Sequence, residues 1–407
     1  MATAGTSALD EFITRFTTQI DSGFGVISGD VQTILGTLVV ISIVLTAIMW
    51  AIDETQNVLG PLVRKILLVG FFAWLVGNWH SLSVTVVTGF GQLGLRAGGG
   101  ASIGDFMSAP TRSVEAGFKI MRRYHYSRGE AQRVRIIALS QSFHGRTLAP
   151  LAASANPLHV EGFLTGDPGF DQVPWGDIAA LRAAITETTA GVILEPIQGE
   201  GGIRVTPFDY LRQVRELCDE KGILLMFDEV QSGVGRSGHL YAYQASGVVP
   251  DLLASAKGLG GGFPIGACLA SERVAAPMVA GTHGSTFGGN PLATAVGNAV
   301  LDVIMAPGFL DQMMARSAQL CTGLAAIIAD NPHIVSQQTG MGLMLGVKCV
   351  INNADFAAAL KDARLLVVKA GGNSLRLLPP LNVTAAEVDE ALAIIRATCA
   401  KWPAAEG

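Results

Sequence analysis

The stretch Leu252-Leu-Ala-Ser-Ala-Lys257-Gly-Leu-Gly-Gly-Gly262 places one lysine between an apolar run and a cluster of glycines. The apolar run is typical of a buried strand, and a strand that ends in this way presents its lysine at the edge of a sheet. The small residues around Lys257 leave room for another group to approach its amine. Lysine is seldom buried, so the alternative interpretation is a solvated lysine beside a loop.

A second apolar run, Gly222-Ile-Leu-Leu-Met-Phe-Asp228-Glu229, ends in two carboxylates. A buried lysine opposite a buried aspartate is the pair that pyridoxal 5'-phosphate (PLP) chemistry requires. The amine forms a Schiff base with the cofactor aldehyde, and the carboxylate keeps the pyridine nitrogen protonated so that the ring accepts electrons. These two segments are equally compatible with PLP as the cofactor, with Lys257 and Asp228 as the catalytic residues, and with a solvated lysine beside a loop.

Short β-prone runs alternate with helical patterns after about residue 113, which indicates an α/β fold with a mainly parallel sheet. Ligands of such sheets gather at the carboxyl ends of the strands, where Asp228 and Lys257 both fall. Beyond Asn290 the pattern changes and predicts a smaller C-terminal α+β lobe. The predicted strands are Arg135–Ser140, Gly191–Glu195, Ile223–Phe227, Leu252–Ala256 and short strands near 342–348 and 374–378, and the predicted helical stretches are 175–188, 207–221, 291–330 and 385–401.

The first hundred residues have a different composition, to which the high mean hydropathy of +0.41 is largely due. Residues 34–52 carry no formal charge, and residues 66–95 contain no Lys, Arg, Asp or Glu. Runs of this length are typical of membrane-spanning helices, and the charged residues between them are typical of a loop at a membrane surface. We predict membrane association through residues 34–95; two buried core helices are the alternative.

Charge and cysteine content exclude several classes of site. The net charge is −5 without a basic cluster, so nucleic acid is not an expected partner. The five cysteines are scattered, and neither a metal site nor a disulfide framework is predicted.

Four further segments contain residue types that suit the same chemistry. Two of them, the run Ser142-Phe-His-Gly-Arg-Thr147 and the acidic turn Glu195-Pro-Ile-Gln-Gly-Glu200, each follow a predicted strand. The run Gly284-Ser-Thr-Phe-Gly-Gly-Asn290 combines hydroxyls and glycines as phosphate sites do, and Arg376 stands alone between leucines. Each has an ordinary structural interpretation on its own, but chance explains the whole set poorly.

With these motifs, residues 113–402 resemble the class III (ornithine-type) PLP-dependent aminotransferases, most closely their acetylornithine branch. The runs that carry the resemblance are SFHGRT, EPIQGEGG, FDEVQSGVGRSG, SAKGLGGGFPIGA and HGSTFGGNPLA. The resemblance implies PLP-dependent transferase fold type I and a homodimer with active sites at the subunit interface. It also implies an amino donor and 2-oxoglutarate as substrates.

The resemblance assigns roles to individual residues. Lys257 would bind the cofactor covalently, and Asp228 would pair with its pyridine nitrogen. Phe143 and Val230 would cover the two ring faces, and Gln231 would approach the phenolic oxygen. Ser285 and Thr286 would bind the cofactor phosphate of the partner subunit. Arg146 would bind the substrate α-carboxylate. Glu200 and Arg376 would form a pair that opens when a dicarboxylate binds.

The N-terminal hundred residues resemble a different family, the TrbL-type inner-membrane proteins of conjugative (type IV) secretion systems. The residues that carry this resemblance are the hydrophobic patterns at 12–16, 38–46 and 62–76. The chain is thus expected to comprise a TrbL-like transmembrane helical segment (1–108), a PLP-binding large domain truncated at its N-terminus (109–305) and a C-terminal small domain (306–407).

The sequence also departs from the aminotransferase pattern. The family's Ser-Gly-x-Glu-Ala turn cradles the cofactor phosphate and opens a helix, whereas this chain has Pro110 where the turn has glycine. Proline has no N–H to donate, so we expect weak cofactor binding and an activity that is low or lost. The chain is interpreted as an aminotransferase whose first segment was replaced by a membrane segment, through gene fusion or a misassembled reading frame.

Two further functional interpretations stay open at this point: a membrane component of a conjugation channel with an inactive aminotransferase-like tail, and a decayed PLP-fold protein. The amino donor is open among acetylornithine, succinylornithine, ornithine and 4-aminobutyrate. We expect the bacterial inner membrane as the location, with the aminotransferase part facing the cytoplasm, or a cytoplasmic protein if the N-terminal segment is an artefact.

Overall fold

The computed structural model describes residues 109–163 and 166–402. The predicted membrane segment, residues 1–108 with its spans at 34–95, lies outside these described residues.

A six-stranded sheet lies at the centre of the first part of the described chain. Its strands are β1 (Arg135–Leu139), β2 (Phe170–Val173), β3 (Thr189–Leu194), β6 (Leu224–Asp228), β7 (Leu252–Ser255) and β8 (Ala267–Ala270), and a hairpin of β4 (Ile197–Gln198) and β5 (Arg204–Val205) follows β3. The strand order is β2-β1-β3-β6-β7-β8. All neighbours are parallel except β8, which is antiparallel to β7. The prediction of a mainly parallel sheet is therefore confirmed, and its four predicted strands are present close to their predicted bounds.

Helices cover both faces of this sheet. They are α1 (Ala109–Ser127), α2 (Leu148–Ser154), α3 (Pro157–Val160), α4 (Ile178–Ala184), α5 (Phe208–Lys221), α6 (Tyr243–Ser246) and α7 (Glu272–Ala275), and a 3-10 turn spans Lys257–Gly260. On one face α1 buries Val114, Phe118 and Met121 against the sheet. On the other face α5 buries Leu211 and Val214. With both faces covered, functional groups are left to the carboxyl edge.

The C-terminal part contains a four-stranded antiparallel sheet in the order β11-β12-β10-β9. Its strands are β9 (Val335–Met341), β10 (Met344–Cys349), β11 (Val368–Ala370) and β12 (Ser374–Leu377), and the helices of this part are α8 (Pro291–Ile304), α9 (Phe309–Asp330), α10 (Asn353–Asp362) and α11 (Ala385–Cys399). An α+β lobe is thus present, although the predicted boundary between residues 305 and 306 stays a prediction. The strands β9 and β11 were not predicted, because their largely polar or exposed residues lack an apolar pattern.

The helical stretches differ from prediction in two places. The stretch 291–330 forms two helices, α8 and α9, whose axes differ by 68°. Pro307 and Gly308 lie at this break, and the φ of 84° at Gly308 is a left-handed conformation that a helix cannot continue through. The helix predicted over 175–188 is only Ile178–Ala184, because Asp177 caps its start by accepting a hydrogen bond from the Ala180 N–H at 2.9 Å.

Among the described residues, no single helix has the length and apolar character needed to cross a membrane. The bent pair α8 and α9 meets these requirements only when the two helices are taken together.

We predict that Phe118→Ala destabilises the fold by about 3–5 kcal/mol, because Phe118 is fully buried between α1 and the sheet. Tyr126→Ala on the same helix serves as the control, since Tyr126 is 62% exposed and its loss removes little burial. Urea unfolding monitored by circular dichroism measures the free energy of unfolding of both variants. Equal destabilisation by the two variants would show that α1 does not pack on this sheet.

Candidate active site

The carboxyl ends of β3 and β6 bring two acidic residues together. These strands are parallel neighbours with Leu194 in register with Phe227. Glu195 follows Leu194 and Asp228 follows Phe227, and both acidic residues are almost completely buried. The sheet register therefore places two carboxyl groups side by side at the edge where ligands of α/β sheets bind.

Asp228 is held in a defined orientation. Its Oδ2 lies 2.8 Å from His144 Nδ1, and its Oδ1 accepts a hydrogen bond from the Val230 N–H at 3.1 Å. His144 is buried, and its backbone N–H donates to Ser154 Oγ at 2.8 Å. Because a carboxylate only accepts, the facing His144 nitrogen carries a proton. The aspartate is thus an oriented acceptor within the fold.

Lys257 lies two residues after the end of β7, the neighbour of β6, in the first position of the 3-10 turn. Its backbone φ of 45° is in the left-handed region, which is strained for a residue with a side chain. Although the residue is exposed, the surrounding protein lowers the pKa of its amine, mainly through loss of hydration. The negative charges of Asp228 and Glu200 oppose that lowering. On balance the amine is easier to deprotonate than an ordinary lysine.

Arg376 on β12 connects the small sheet to this edge. It is buried, and its Nη1 donates to Glu200 Oε1 at 2.7 Å and to Gln231 Oε1 at 3.1 Å. Gln231 can lie against residue 199 because Gly199 has no side chain: a Cβ at this position would overlap Gln231 Oε1. Glu200 and Arg376, which the family resemblance pairs, thus form a direct ion pair in the structure.

Phe143 and Arg146 lie on the loop after β1. The half-buried Phe143 donates its backbone N–H to Glu195 Oε2 at 3.2 Å. The exposed Arg146 lies over the Phe143 ring, 5.5 Å from its centroid, and its Nη2 is 3.1 Å from His159 Nε2. The Arg146 guanidinium is therefore oriented by an aromatic ring and an imidazole while it stays open to solvent.

Glu229 holds the loop that carries Val230 and Gln231. Its buried carboxylate accepts hydrogen bonds from Ser232 Oγ at 2.7 Å, Ala242 N at 2.9 Å and Tyr243 N at 2.8 Å. Loss of hydration nevertheless raises the pKa of Glu229. These three bonds fix the loop next to Asp228, and both Val230 and Gln231 are half-buried there.

Ser285 and Thr286 are exposed, on the segment between α7 and α8. No hydrogen bond or ion pair among the described residues connects them to Lys257 or Asp228. The structure of one chain thus brings together Lys257, Asp228, Phe143, Val230, Gln231, Glu200 and Arg376, but not this hydroxyl pair.

Two residues of the site, His144 and Glu195, were given no role from the sequence. Both lie in motifs that the sequence analysis singled out. For Glu195 the sequence offered one signal, a polar residue at the end of an apolar strand. His144 faces Asp228 only because two distant segments of the chain meet, and no spacing within the sequence predicts such a contact.

Comparison with known proteins agrees with this geometry. The family model "Aminotransferase class-III" matches residues 97–399, most of the chain. The chain belongs to the class III aminotransferases. This family consists of PLP-dependent enzymes, so the chain is an aminotransferase that works with PLP. A second model, "TrbL/VirB6 plasmid conjugal transfer protein", matches residues 39–147, and residues 109–147 of this match form α1, β1 and the Phe143 loop of the aminotransferase fold.

Curated relatives include an acetylornithine aminotransferase of Brucella melitensis, 53% identical over 287 residues that cover 70% of this chain and 71% of the relative. Another, from Mesorhizobium japonicum, is 49% identical and covers 78% of this chain and 80% of the relative. Among solved structures, the N-acetylornithine aminotransferase of Stenotrophomonas maltophilia is similar with a TM-score of 0.61 and 34% identity, covering 72% of this chain and 73% of that one. The ornithine aminotransferase of Toxoplasma gondii has a TM-score of 0.69 at 32% identity, covering 72% of this chain and 71% of that one.

The residues at the carboxyl edge fit PLP. A buried, oriented carboxylate suits a protonated pyridine nitrogen, and Asp228 is such a group, only 4% exposed. A lysine with a lowered pKa suits covalent attachment of an aldehyde, and Lys257 lies open on the same edge. The donor set in the fold thus agrees with the cofactor of the family.

We predict that the Lys257 amine reacts with an acylating label at a lower pH than the exposed Lys361, because its pKa is lowered. Asp228→Asn should move the reactivity midpoint of Lys257 to a still lower pH, since it removes the largest charge that raises this pKa. Competitive trace labelling with peptide mass spectrometry measures the midpoint, and Lys361 in the same sample is the control. An upward shift in the Asn variant would contradict the proximity of Asp228 to Lys257.

Proposed function

We propose that the chain transfers an amino group from N-acetylornithine, or from a related ω-amino donor, to 2-oxoglutarate. The proximity of Lys257, Asp228 and the Glu200–Arg376 pair, whose charges all act on the Lys257 amine, carries this proposal. The identity of 53% to an acetylornithine aminotransferase supports the choice of donor. Succinylornithine, ornithine and 4-aminobutyrate are the competing donors in the test.

The proposed cofactor contacts are those that the family resemblance implies. Asp228 would hold the pyridine nitrogen, and Lys257 would attach to the aldehyde carbon. Phe143 and Val230 would lie against opposite faces of the ring, and Gln231 would approach the phenolic oxygen. PLP supplies an electron sink for the carbon that loses its proton.

Lys257 is proposed as the general base. Its lowered pKa supports this role, because a neutral amine is needed to accept a proton. The Lys257 Nζ would remove a proton from the substrate carbon that carries the transferred amino group. It would then return a proton to the cofactor carbon, so that one residue serves both steps.

Two arginines are proposed to select the substrates. Arg146 would bind the α-carboxylate, since a guanidinium can bind a carboxylate with two parallel hydrogen bonds. Arg376 is neutralised by Glu200 at 2.7 Å, so it would bind a second carboxylate only after Glu200 has moved away. The Glu200–Arg376 pair would thereby accept both 2-oxoglutarate and a donor that lacks the second carboxylate.

We also propose a homodimer in which Ser285 and Thr286 of each chain bind the cofactor phosphate in the partner's site. The exposure of this hydroxyl pair supports a contact with a second chain. The proposal makes each active site depend on both subunits.

A second candidate function is an inner-membrane component of a conjugative transfer system with an inactive aminotransferase-like tail. The TrbL match over residues 39–147 favours it, together with the charge-free stretches within 34–95. Under the main proposal the same residues form a membrane anchor, and the aminotransferase part faces the cytoplasm. Reading the DNA across codons 95–115 would test whether the two parts share one frame.

The main proposal predicts glutamate formation when the purified full-length chain is given PLP, N-acetylornithine and 2-oxoglutarate. Lys257→Ala should abolish turnover, and Asp228→Ala should slow the half-reaction by orders of magnitude while Lys257 remains able to attach the cofactor. Borohydride reduction and mass spectrometry would locate a pyridoxyl group on Lys257 in the Asp228 variant. A wild-type chain that attaches PLP but transfers no amino group from any of the four donors would favour the second candidate.

We further predict that PLP binds weakly. The phosphate turn of the family is replaced around Pro110, and each charge-assisted hydrogen bond is worth about 1.5–3 kcal/mol. Loss of two or three such bonds weakens binding by a factor on the order of a thousand, although the exposed Arg112 on α1 would compensate in part. Equilibrium titration with PLP measures the Kd, and a sub-micromolar value with full turnover would show that another segment binds the phosphate.

A further inference from the structure

We infer that Glu195 is held as a neutral carboxylic acid and acts as a positioning residue for the backbone of Phe143. This inference rests on the proposed aminotransferase function, in which the Phe143 ring lies against the cofactor. It assigns a role to a residue for which no contact with substrate or cofactor is proposed.

The sheet register provides the geometric basis. Leu194 and Phe227 are partners on the parallel strands β3 and β6, so Glu195 and Asp228 follow as the next neighbouring positions. Adjacent strands are only about 4.8 Å apart, which brings two buried carboxyl groups close together. Two carboxylates that share one site cannot both ionise without a large electrostatic cost.

The hydrogen-bond partners decide which carboxyl keeps the proton. Asp228 has a partner for each oxygen, His144 Nδ1 and the Val230 N–H, which stabilise its anion. Glu195 accepts only the Phe143 N–H, at 3.2 Å, and forms no ion pair with a described residue. The proton therefore resides on Glu195.

The charged groups around Glu195 are consistent with this assignment. Asp228 and Glu200 face it as anions, and Lys257 and Arg204 are the cations within its electrostatic range. Loss of hydration and the charge of Asp228 raise the pKa of Glu195 well above its usual value, and the hydrogen bond from the Phe143 N–H and the charge of Lys257 offset them only partly.

A neutral acid at this position has a structural consequence. The Phe143 N–H needs an acceptor, and Glu195 Oε2 supplies one without adding a second negative charge next to Asp228. The neighbouring N–H of His144 is already bound to Ser154 Oγ. Glu195 and Ser154 therefore fix two consecutive peptide groups, on which the positions of the Phe143 ring and of His144 depend.

Infrared difference spectroscopy of the full-length chain labelled with [δ-13C]glutamate tests the protonation state at pH 8. We expect the wild-type minus Glu195→Gln spectrum to show the loss of a carboxylic acid C=O band. Glu200→Gln is the matched control and should remove a carboxylate band, because Glu200 is paired with Arg376. Loss of a carboxylate band in the Glu195 variant would overturn the inference. Glu195→Asp removes the same labelled group and serves if the Gln variant does not fold.

Cofactor affinity tests the positioning role. Glu195→Ala should weaken PLP binding about five- to tenfold, the effect of one lost hydrogen bond, whereas Glu195→Gln retains an acceptor and should bind within about twofold of wild type. Equal weakening by Gln and Ala would contradict a role for the neutral acid. If the wild-type chain attaches no PLP at Lys257, the proposed function fails, whereas the infrared result on the PLP-free protein still decides the state of Glu195.

Discussion

The parallel pairing of β3 with β6 is the constraint on which the site depends. Its register makes Glu195 and Asp228 neighbours, and the next strand, β7, ends at Ser255, two residues before Lys257. Three adjacent strand ends thus hold two carboxyl groups and an amine in fixed relation. A shift of one residue in either pairing would turn one of these side chains to the opposite face of the sheet.

The surrounding protein gives these groups their acid–base properties. Loss of hydration lowers the pKa of the Lys257 amine and raises that of Glu195, so both move toward their neutral forms. Asp228 instead has hydrogen bonds to both oxygens, which favour its anion. The same sheet edge therefore contains a neutral acid, an anionic acceptor and an amine that is easily deprotonated. Each of these states suits a different task in amino transfer.

The small sheet contributes a side chain to the site. Arg376 on β12 reaches Glu200 in the turn between β4 and β5, and Gln231 in the loop after β6. Burying the Arg376 guanidinium costs desolvation energy, and the partner Glu200 is only half-buried, so this ion pair is weak evidence for stability. Its position beside Gln231 instead favours a role in substrate selection. The overlap of the two family matches at residues 97–147 does not alter this description, since α1 packs on the sheet through Phe118 and Met121.

Much of the fold was predictable because apolar strands and amphipathic helices have a period that can be read locally. The four central strands, helix α5 and the lobe after residue 290 follow from such patterns. The edge strands β9 and β11 and the break at Pro307 and Gly308 were missed, since exposed strands lack an apolar pattern and the helical pattern continues on both sides of the break.

The sequence by itself determined the chemistry: a lysine among glycines, an aspartate after an apolar run, and motifs typical of class III aminotransferases. Only the tertiary structure decided that His144 orients Asp228, that Glu195 lies beside it, and that Gln231 shares Arg376 with Glu200. These contacts join residues far apart in the chain. They arise from strand register and loop packing, which no local pattern of side chains records.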